Sequence, residues 1–288
     1  MGEKTEKTEK TEKTTTERAG TAGPSPARRL VGGLLRNFRE RSGMSRKDVA
    51  GRLLVSESLA GAYERAERIP TSNYLVDADA VLDARGALKA CIPLMEEEKY
   101  PPTFVGWVRL QKTAASISGY ETMVFPGLLQ TEDYIRALYE ERVPQLADDV
   151  IEKNVVARLE RQAVLSRTPP PMIGYVIEES VLKRPIGGRE VLRKQLLHVL
   201  ECVRSRHHLK VQVLPTETRE HAGMSGPVQL LSTSEGRNFA YEAGQISGRL
   251  ISKPQEVNQL IDRFGALRAQ ALTPRESADL IERMAGQL

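Results

Sequence analysis

The sequence predicts an N-terminal all-α bundle of five helices, followed by an α+β (mixed α/β) domain with a small sheet and several long helices. Apolar residues recur at helical spacing through residues 28–98, and serines that can cap helices precede three of the segments. After residue 172, short β-branched or aromatic runs alternate with helical patterns. A chain of 288 residues is long enough for two such domains.

The domain limits follow from composition. Residues 1–27 hold a Glu-Lys-Thr repeat and then small residues with two prolines. Neither part can bury a core, so we expect a disordered tail. A DNA-searching arm is the alternative, but the charges of the repeat nearly cancel. The Lys-Tyr-Pro-Pro stretch at 99–102 marks the boundary between a first domain, 28–98, and a second domain, 99–288.

Residues 44–65 are the most informative segment. Ser45 can cap a short helix with Asp48 as the acidic half of a capping box, and Ser56 can cap a second helix. Ala50 is small where two crossing helices must approach closely. A pair of this size is a helix-turn-helix, whose second helix lies in the major groove of DNA. Double-stranded DNA is therefore the predicted partner.

The charge distribution supports this interpretation. Residues 28–70 contain ten basic and five acidic side chains, a net charge of +5, whereas the whole chain carries only +4. Contact with phosphates requires such a local positive surface. The two cysteines fit a reducing cytoplasm, and we find neither a signal peptide nor an apolar run that could span a membrane. We expect a cytoplasmic protein without membrane contact, cofactor or metal.

Helix geometry assigns roles to individual side chains. Arg46 and Lys47, at the first helix's N-terminus, can reach phosphates, and Glu57 and Ser58 can meet base edges. Small residues on the solvent side of the second helix would allow close approach to the groove. The predicted DNA-binding residues are Arg46, Lys47, Ser56, Glu57, Ser58, Gly61, Ala62, Arg65 and Arg68. Two alternatives stay open: Glu57 stabilises only the helix dipole, and Arg65 pairs only with a nearby acid.

The remaining elements are predicted from spacing, caps and turns. In the first domain a helix follows residue 28, a fourth starts at a Ser72 cap and a fifth spans 86–98. In the second domain the predicted helices are 103–118, 147–166, 189–204 and those starting near Thr131, Pro254 and Thr273. The predicted strands are 173–177, 209–214, 227–231 and 238–241, with 122–125 as a short extended segment. The first two strands suggest a crossover, and the last two suggest a hairpin.

Residues 44–56 and 60–65, with the sequences MSRKDVAGRLLVS and AGAYER, resemble the XRE/Cro/C1-type helix-turn-helix. That family usually has Gln where Arg46 stands, Gly where Leu54 stands and often a polar or basic residue where Ala62 stands. The resemblance implies the fold, and the departures weaken any guess at the base sequence because two usual contact positions are altered.

Five further motifs, in this order, resemble the C-terminal domain of WhiJ-like, Scr-type antitoxin-like regulators. They are PGLLQTEDY at 126–134, RLERQ at 158–162, RPIGG at 184–188, VQVLP at 211–215 and GMSGP at 223–227. The resemblance implies a transcriptional regulator that is paired with a small partner protein encoded nearby. In some members that pairing is thought to work like a toxin–antitoxin system.

Aromatic and apolar residues around the loop at 126–129 define a candidate partner or ligand groove. Its residues are Trp107, Pro126, Gly127, Leu128, Leu129 and Tyr134. The alternative is that they belong to the core. Arg158 and Arg161, with Glu160, are expected to form a solvated or interhelical ion-pair face. No spacing of titratable residues indicates catalysis, so we do not expect an enzyme.

The leading hypothesis is a sequence-specific DNA-binding transcriptional regulator, active as a homodimer, whose second domain senses a partner protein or a ligand. The alternative is an antitoxin-like protein that chiefly binds and neutralises a small neighbouring protein, so that DNA binding serves autoregulation.

Overall fold

The computed structural model describes residues 24–98, 102–245 and 247–288, and the described chain divides into two units between Glu96 and Glu97. Most of the predicted tail, residues 1–23, lies outside the described residues, as do the predicted boundary residues 99–101. The end of the predicted tail is wrong. Ser25 caps the first helix with its hydroxyl, and a proline occupies the first helical position, where its missing N–H costs nothing.

The described residues of the first unit form five α-helices, as the sequence predicts. They are α1 (Pro26–Arg41), α2 (Arg46–Arg52), α3 (Glu57–Glu64), α4 (Ser72–Val81) and α5 (Ile92–Glu97). Their apolar faces meet in one core, which includes Val31, Leu35, Val49, Tyr63, Tyr74, Leu75, Leu88 and Met95. One cap differs from the prediction: Thr71, not Ser72, caps α4, because its hydroxyl accepts the Tyr74 N–H at 3.2 Å.

The connection after α4 is organised by one buried carboxylate. Asp79 is 5% exposed and accepts the backbone N–H groups of Gly86, Leu88 and Lys89 at 2.9–3.2 Å. Burial alone would raise the pKa of Asp79, but these three hydrogen bonds outweigh it and hold the pKa below its usual range. The Asp79 carboxylate therefore supplies hydrogen-bond acceptors to backbone N–H groups of the loop after α4.

A six-stranded sheet forms the centre of the second unit. Its strands are β1 (Ala114–Glu121), β2 (Met172–Glu178), β3 (Leu209–Leu214), β4 (Val228–Thr233), β5 (Asn238–Glu242) and β6 (Arg249–Ile251). The spatial order is β3-β2-β1-β4-β5-β6. The pairs β1–β2 and β2–β3 are parallel, and the pairs on the other side of β1 are antiparallel. The predicted crossover between β2 and β3 and the predicted β4–β5 hairpin are confirmed.

Helices cover both faces of this sheet. They are α6 (Pro102–Thr113), α7 (Glu132–Glu140), α8 (Asp148–Arg161), α9 (Glu179–Lys183), α10 (Arg189–Ser205), α11 (Pro254–Gln270) and α12 (Pro274–Gly286). On one face, Ile117 packs in a core with residues of α10 and α12. On the other, Tyr120 packs in a core with residues of α11. Because neighbouring strand residues point to opposite faces, β1 contributes to both cores.

The main error of the sequence analysis concerns β1. The sequence predicts a helix over 103–118, whereas α6 ends at Thr113 and the strand begins at the next residue. The predicted extended segment 122–125 is not a strand, and the short strand β6 is not predicted at all. β1 is rich in small residues, which carry little strand preference, and its conformation depends on pairing with β2 and β4 on both sides.

The short helix α9 is likewise not predicted, whereas the other predicted elements of the second unit lie near their predicted positions. The Thr131 cap of α7 and the capping box between Thr273 and Glu276 at the start of α12 are both present. Residues 147–166 form α8 and a following 3₁₀ segment, Gln162–Ser166. Across the described part of the chain, every helix is too short or too polar to cross a bilayer.

A glycine at position 54 should stabilise the protein. Leu54 lies between α2 and α3 with a φ of +52°, and its side chain is 93% exposed. The left-handed region costs a residue other than glycine about 1–2 kcal/mol, while glycine loses about 0.5–1 kcal/mol in chain entropy. We expect Leu54→Gly to raise the free energy of unfolding by about 0.5–1 kcal/mol, measured by chemical denaturation and circular dichroism.

The matched control is Leu30→Gly, because Leu30 is also exposed but lies in the regular helix α1. That substitution should lower the free energy of unfolding by about 1 kcal/mol. If both variants lost stability, the backbone conformation of Leu54 would not be the source of strain.

Candidate nucleic-acid interface and a polar cleft

The two central helices of the first unit are fixed at their starts by side-chain caps. The Ser45 hydroxyl accepts the Asp48 N–H, and the Asp48 carboxylate accepts the Ser45 N–H at 2.8 Å. These hydrogen bonds lower the pKa of Asp48. The Ser56 hydroxyl accepts the Leu59 N–H at 3.1 Å and so caps α3. The predicted capping box and the predicted second cap are confirmed, and they set the limits of the helix pair.

A buried glutamate joins three helices of this unit. Glu64, at the end of α3, accepts from Arg39 of α1 at 2.5 Å and from Arg46 of α2 at 3.0 Å. Its side chain is 6% exposed, and that of Arg39 is 11% exposed. Burial alone would raise the pKa of Glu64, but the hydrogen bonds and charges of the two arginines outweigh it and lower the pKa. Helix α3 is therefore held to both α1 and α2 by charge-assisted hydrogen bonds.

Most of the predicted DNA-binding side chains lie on the surface. Lys47, Ser56, Glu57, Ser58, Arg65 and Arg68 are exposed. The polar residues at the start of α3 thus lie on the end of the helix that meets bases in helix-turn-helix complexes. Arg46 is half-buried and bound to Glu64, so its first role is to hold α2 against α3. Contact of these residues with DNA stays a prediction.

Two predicted DNA-binding residues are not on the solvent side of α3. Ala62 is 8% exposed, and Gly61 is buried as well. A Cβ atom at Gly61 would lie 2.8 Å from Nη1 of Arg65 and 3.8 Å from Cδ of Arg46. The prediction that both residues lie on the solvent side is therefore wrong. At Gly61, the side chains of Arg65 and Arg46 cover the position.

Arg65 forms an ion pair with Glu67. Its Nε and Nη2 donate to the two carboxylate oxygens at 2.7 and 2.9 Å, and both side chains are about half exposed. The ion-pair alternative for Arg65 is thus seen in the structure. An exposed pair of this kind is weak, so a phosphate can compete with the carboxylate.

The candidate groove around the loop at 126–129 is largely core. Trp107, Leu128, Leu129 and Tyr134 are at most 1% exposed, and Pro126 is buried. The assignment of these residues to a groove is wrong, because their side chains pack in the core against the sheet. Gln195 holds the loop from below, since it donates to the Leu129 carbonyl at 2.7 Å. Of the six residues, Gly127 lines the open space at the end of β1.

This open space, which we call the polar cleft, has a volume of about 440 Å³ and lies beside the end of β1. Among the described residues that line it, the charged ones are Glu121, Arg142, Arg158 and Arg161. Arg158 and Arg161 therefore face a cavity, which differs from the solvated or interhelical face that the sequence predicts for them. Aromatic rings of Phe104, Phe125, Tyr139 and Tyr241 form much of the remaining wall.

Sequence reasoning missed Glu121, the most unusual group of the cleft. It is 8% exposed and accepts one hydrogen bond, from Gln229 Nε2 at 3.1 Å. Burial raises the pKa of Glu121 to about 7, although the charges of Arg161 and Arg158 oppose the shift. A buried glutamate at the end of a strand is recognisable only when the strand is recognised, and β1 is not.

Two comparisons with known families agree with this architecture. Residues 30–90 match the helix-turn-helix domain, and residues 105–283 match the domain of unknown function (DUF5753). The first unit is therefore a helix-turn-helix domain, the kind that points to a DNA-binding regulator. Because the second match covers more than half of the residues, the chain belongs to the DUF5753 family. No curated protein and no solved structure matches the chain.

Replacing Glu64 should destabilise the helix-turn-helix in a pH-dependent way. Glu64→Gln leaves the buried Arg39 guanidinium without its counter-charge, which costs about 3 kcal/mol for a buried pair. A carboxylate with a lowered pKa stabilises the fold fully above its unfolded pKa of about 4.3, and loses this effect as the pH falls through its folded pKa. We expect the stability difference between wild type and variant to be largest above about pH 5 and to shrink in more acidic solution.

The control is Glu40→Gln, measured by the same denaturation series. Glu40 also contacts Arg36 and Arg39, but its side chain is 52% exposed. Its loss should change stability far less. An equal loss of stability in both variants, or a Glu64→Gln effect that does not change with pH, would contradict the role of Glu64 in joining the three helices.

Proposed function

We propose that the chain is a sequence-specific DNA-binding transcriptional regulator of the XRE type. The observation that supports this most directly is the exposed, polar start of α3, with Ser56, Glu57 and Ser58, in a helix-turn-helix whose α2 also exposes Lys47. A hydroxyl and a carboxylate can bond to base edges, and a lysine can bond to phosphate. A mobility shift with DNA from the region upstream of its own gene tests the proposal.

We further propose that the second unit regulates this binding by sensing a partner protein or a ligand. Its resemblance to WhiJ-like regulators and the presence of the polar cleft support this role. We propose no catalytic activity for the chain. The regulator acts as a homodimer on two half-sites about one helical turn apart, and in the cytoplasm, because its target is DNA.

The antitoxin-like alternative gives the partner protein the leading role. The five motifs shared with Scr-type proteins support a small partner encoded nearby. Co-purification with the neighbouring gene product separates the two. Recovery of a stable complex whose DNA affinity differs from that of the free protein favours the alternative. Operator binding by the free protein that the neighbouring gene product does not change favours the leading proposal.

Lys47 should contribute to affinity without contributing to sequence preference. We expect Lys47→Gln to weaken binding to all DNA sequences and to reduce the slope of log affinity against log salt by about 1, because one phosphate contact is lost. Lys89→Gln removes the same charge from an exposed site outside the helix pair and should leave both quantities unchanged. Equal effects of the two variants would point to net charge alone.

Glu57 and Ser58 should contribute to sequence preference. A base contact is worth about 1–3 kcal/mol of discrimination, so Glu57→Gln and Ser58→Ala should each relax the preference at one base position of a selected operator. The measurement is competition binding with single-base variants of that site. If both variants keep the wild-type preference at every position, α3 does not read bases through its N-terminus.

A further inference from the structure

The polar cleft has the size and lining of a small-molecule site. A volume of about 440 Å³ falls within the usual range of ligand pockets, about 300–1,000 Å³. Its aromatic walls offer apolar surface. Of its charged groups, Glu121 comes from β1, Arg158 and Arg161 come from α8, and Arg142 follows α7. Ligand sites are typically built in this way, with mostly apolar walls and a few placed polar groups.

Two arginines form one wall of the cleft. Arg158 and Arg161 are three residues apart on α8 and therefore lie on the same side of the helix. The Arg158 guanidinium lies 4.8 Å from the ring of Tyr139, and the Arg161 guanidinium lies 5.0 Å from the ring of Phe104. Each ring contact fixes the plane of its guanidinium, and both positive charges lie at this wall of the cleft.

The protein uses little of the binding capacity of Arg158. Within the described residues, its one hydrogen bond goes from Nη1 to Gln130 Oε1 at 2.8 Å, while a guanidinium has five N–H donors. Gln130 is 1% exposed and is itself fixed, since it donates to the Phe125 carbonyl at 2.6 Å. The guanidinium is thus positioned by a rigid partner and can still bind an acid.

The buried carboxyl of Glu121 is the counterpart of this wall. In the described part of the chain its hydrogen-bond partner is the Gln229 amide and not an arginine, although the charges of both arginines act on it. Its single bond to Gln229 leaves acceptor positions for a ligand N–H or O–H. Burying a charge without a bonded partner is costly, and a ligand donor would reduce this cost.

From this arrangement we infer that the polar cleft binds a small ring-bearing organic acid with an amine or hydroxyl group. The acid group bonds to Arg158 beside the positive charge of Arg161, the ring lies between the aromatic walls, and the amine or hydroxyl donates to Glu121. As an effector of the regulator this ligand rests on the proposed function, but its binding can be measured without DNA.

The test uses the full chain and a panel of hydroxy- and amino-substituted benzoates and phenylacetates. Binding is measured by ligand-observed NMR and calorimetry, with the matching carboxamides as neutral probes. We expect members of the acid panel to bind, and their carboxamides to bind about 10-fold to 100-fold more weakly, because a charge-assisted contact is lost. Absence of binding by every acid overturns the inference.

Three variants test the assigned contacts. Arg161→Gln should weaken every acid about tenfold or more. Gly127→Ala should do the same without removing a charge, because a Cβ there would lie 2.3 Å from Nη2 of Arg161 and displace this flexible group. Glu121→Gln should weaken the amino and hydroxy acids more than unsubstituted benzoate and phenylacetate.

The matched control is Arg204→Gln, since Arg204 is exposed on α10 and pairs with Glu282 outside the cleft. Thermal unfolding of each variant shows whether it is folded. Acid binding that is equally strong in Arg161→Gln, Gly127→Ala and Arg204→Gln overturns the site. A mobility shift run in parallel separates the outcomes: acid binding without DNA binding contradicts the proposed function alone, and DNA binding without acid binding contradicts this inference alone.

Discussion

The buried carboxylate of Glu64 is the constraint on which the helix-turn-helix depends. Three helices meet at this group, because Arg39 and Arg46 reach it from α1 and α2 at 2.5 and 3.0 Å. A charge with 6% exposure is tolerated only when it is paired, so the three helices must keep this geometry. The structure also gives a role to Arg46, which stands where the XRE-type pattern usually has Gln. This arginine ties α2 to α3, so an ion pair inside the unit fixes the position of α3.

The sequence predicts the first unit well because local interactions determine its elements. Ser45, Asp48 and Ser56 cap helices through hydrogen bonds between residues three apart, so the caps can be predicted from residue spacing. The same holds for Thr131 and Thr273 in the second unit. What spacing does not reveal is which exposed-looking positions are covered by long side chains. Gly61 is the example, since its environment depends on how two arginines cross the helix.

The centre of the second unit cannot be predicted from local spacing, because the interactions that determine it join residues far apart in the sequence. β1 pairs with β2 and β4, more than fifty residues further along the chain, and its small residues give no strand periodicity. Because β1 is not predicted, the polar cleft beside it is not predicted either. Glu121 ends that strand, and the groups around it come from several other elements. Sequence reasoning identified the loop beside Gly127 as a candidate groove, but it selected the residues that support the loop from below.

The two units use arginine–glutamate chemistry in opposite ways. In the first unit, Glu64 is hydrogen-bonded to two guanidiniums, its pKa is lowered, and these charges hold helices together. In the second, Glu121 has two guanidiniums nearby but bonds to neither in the described structure, and its pKa rises to about 7. A protein that needed this cleft only for stability would gain by closing the pair or by filling the space with apolar side chains. The separation of charges across an open volume is instead the arrangement that a ligand with both an acidic group and a donor completes.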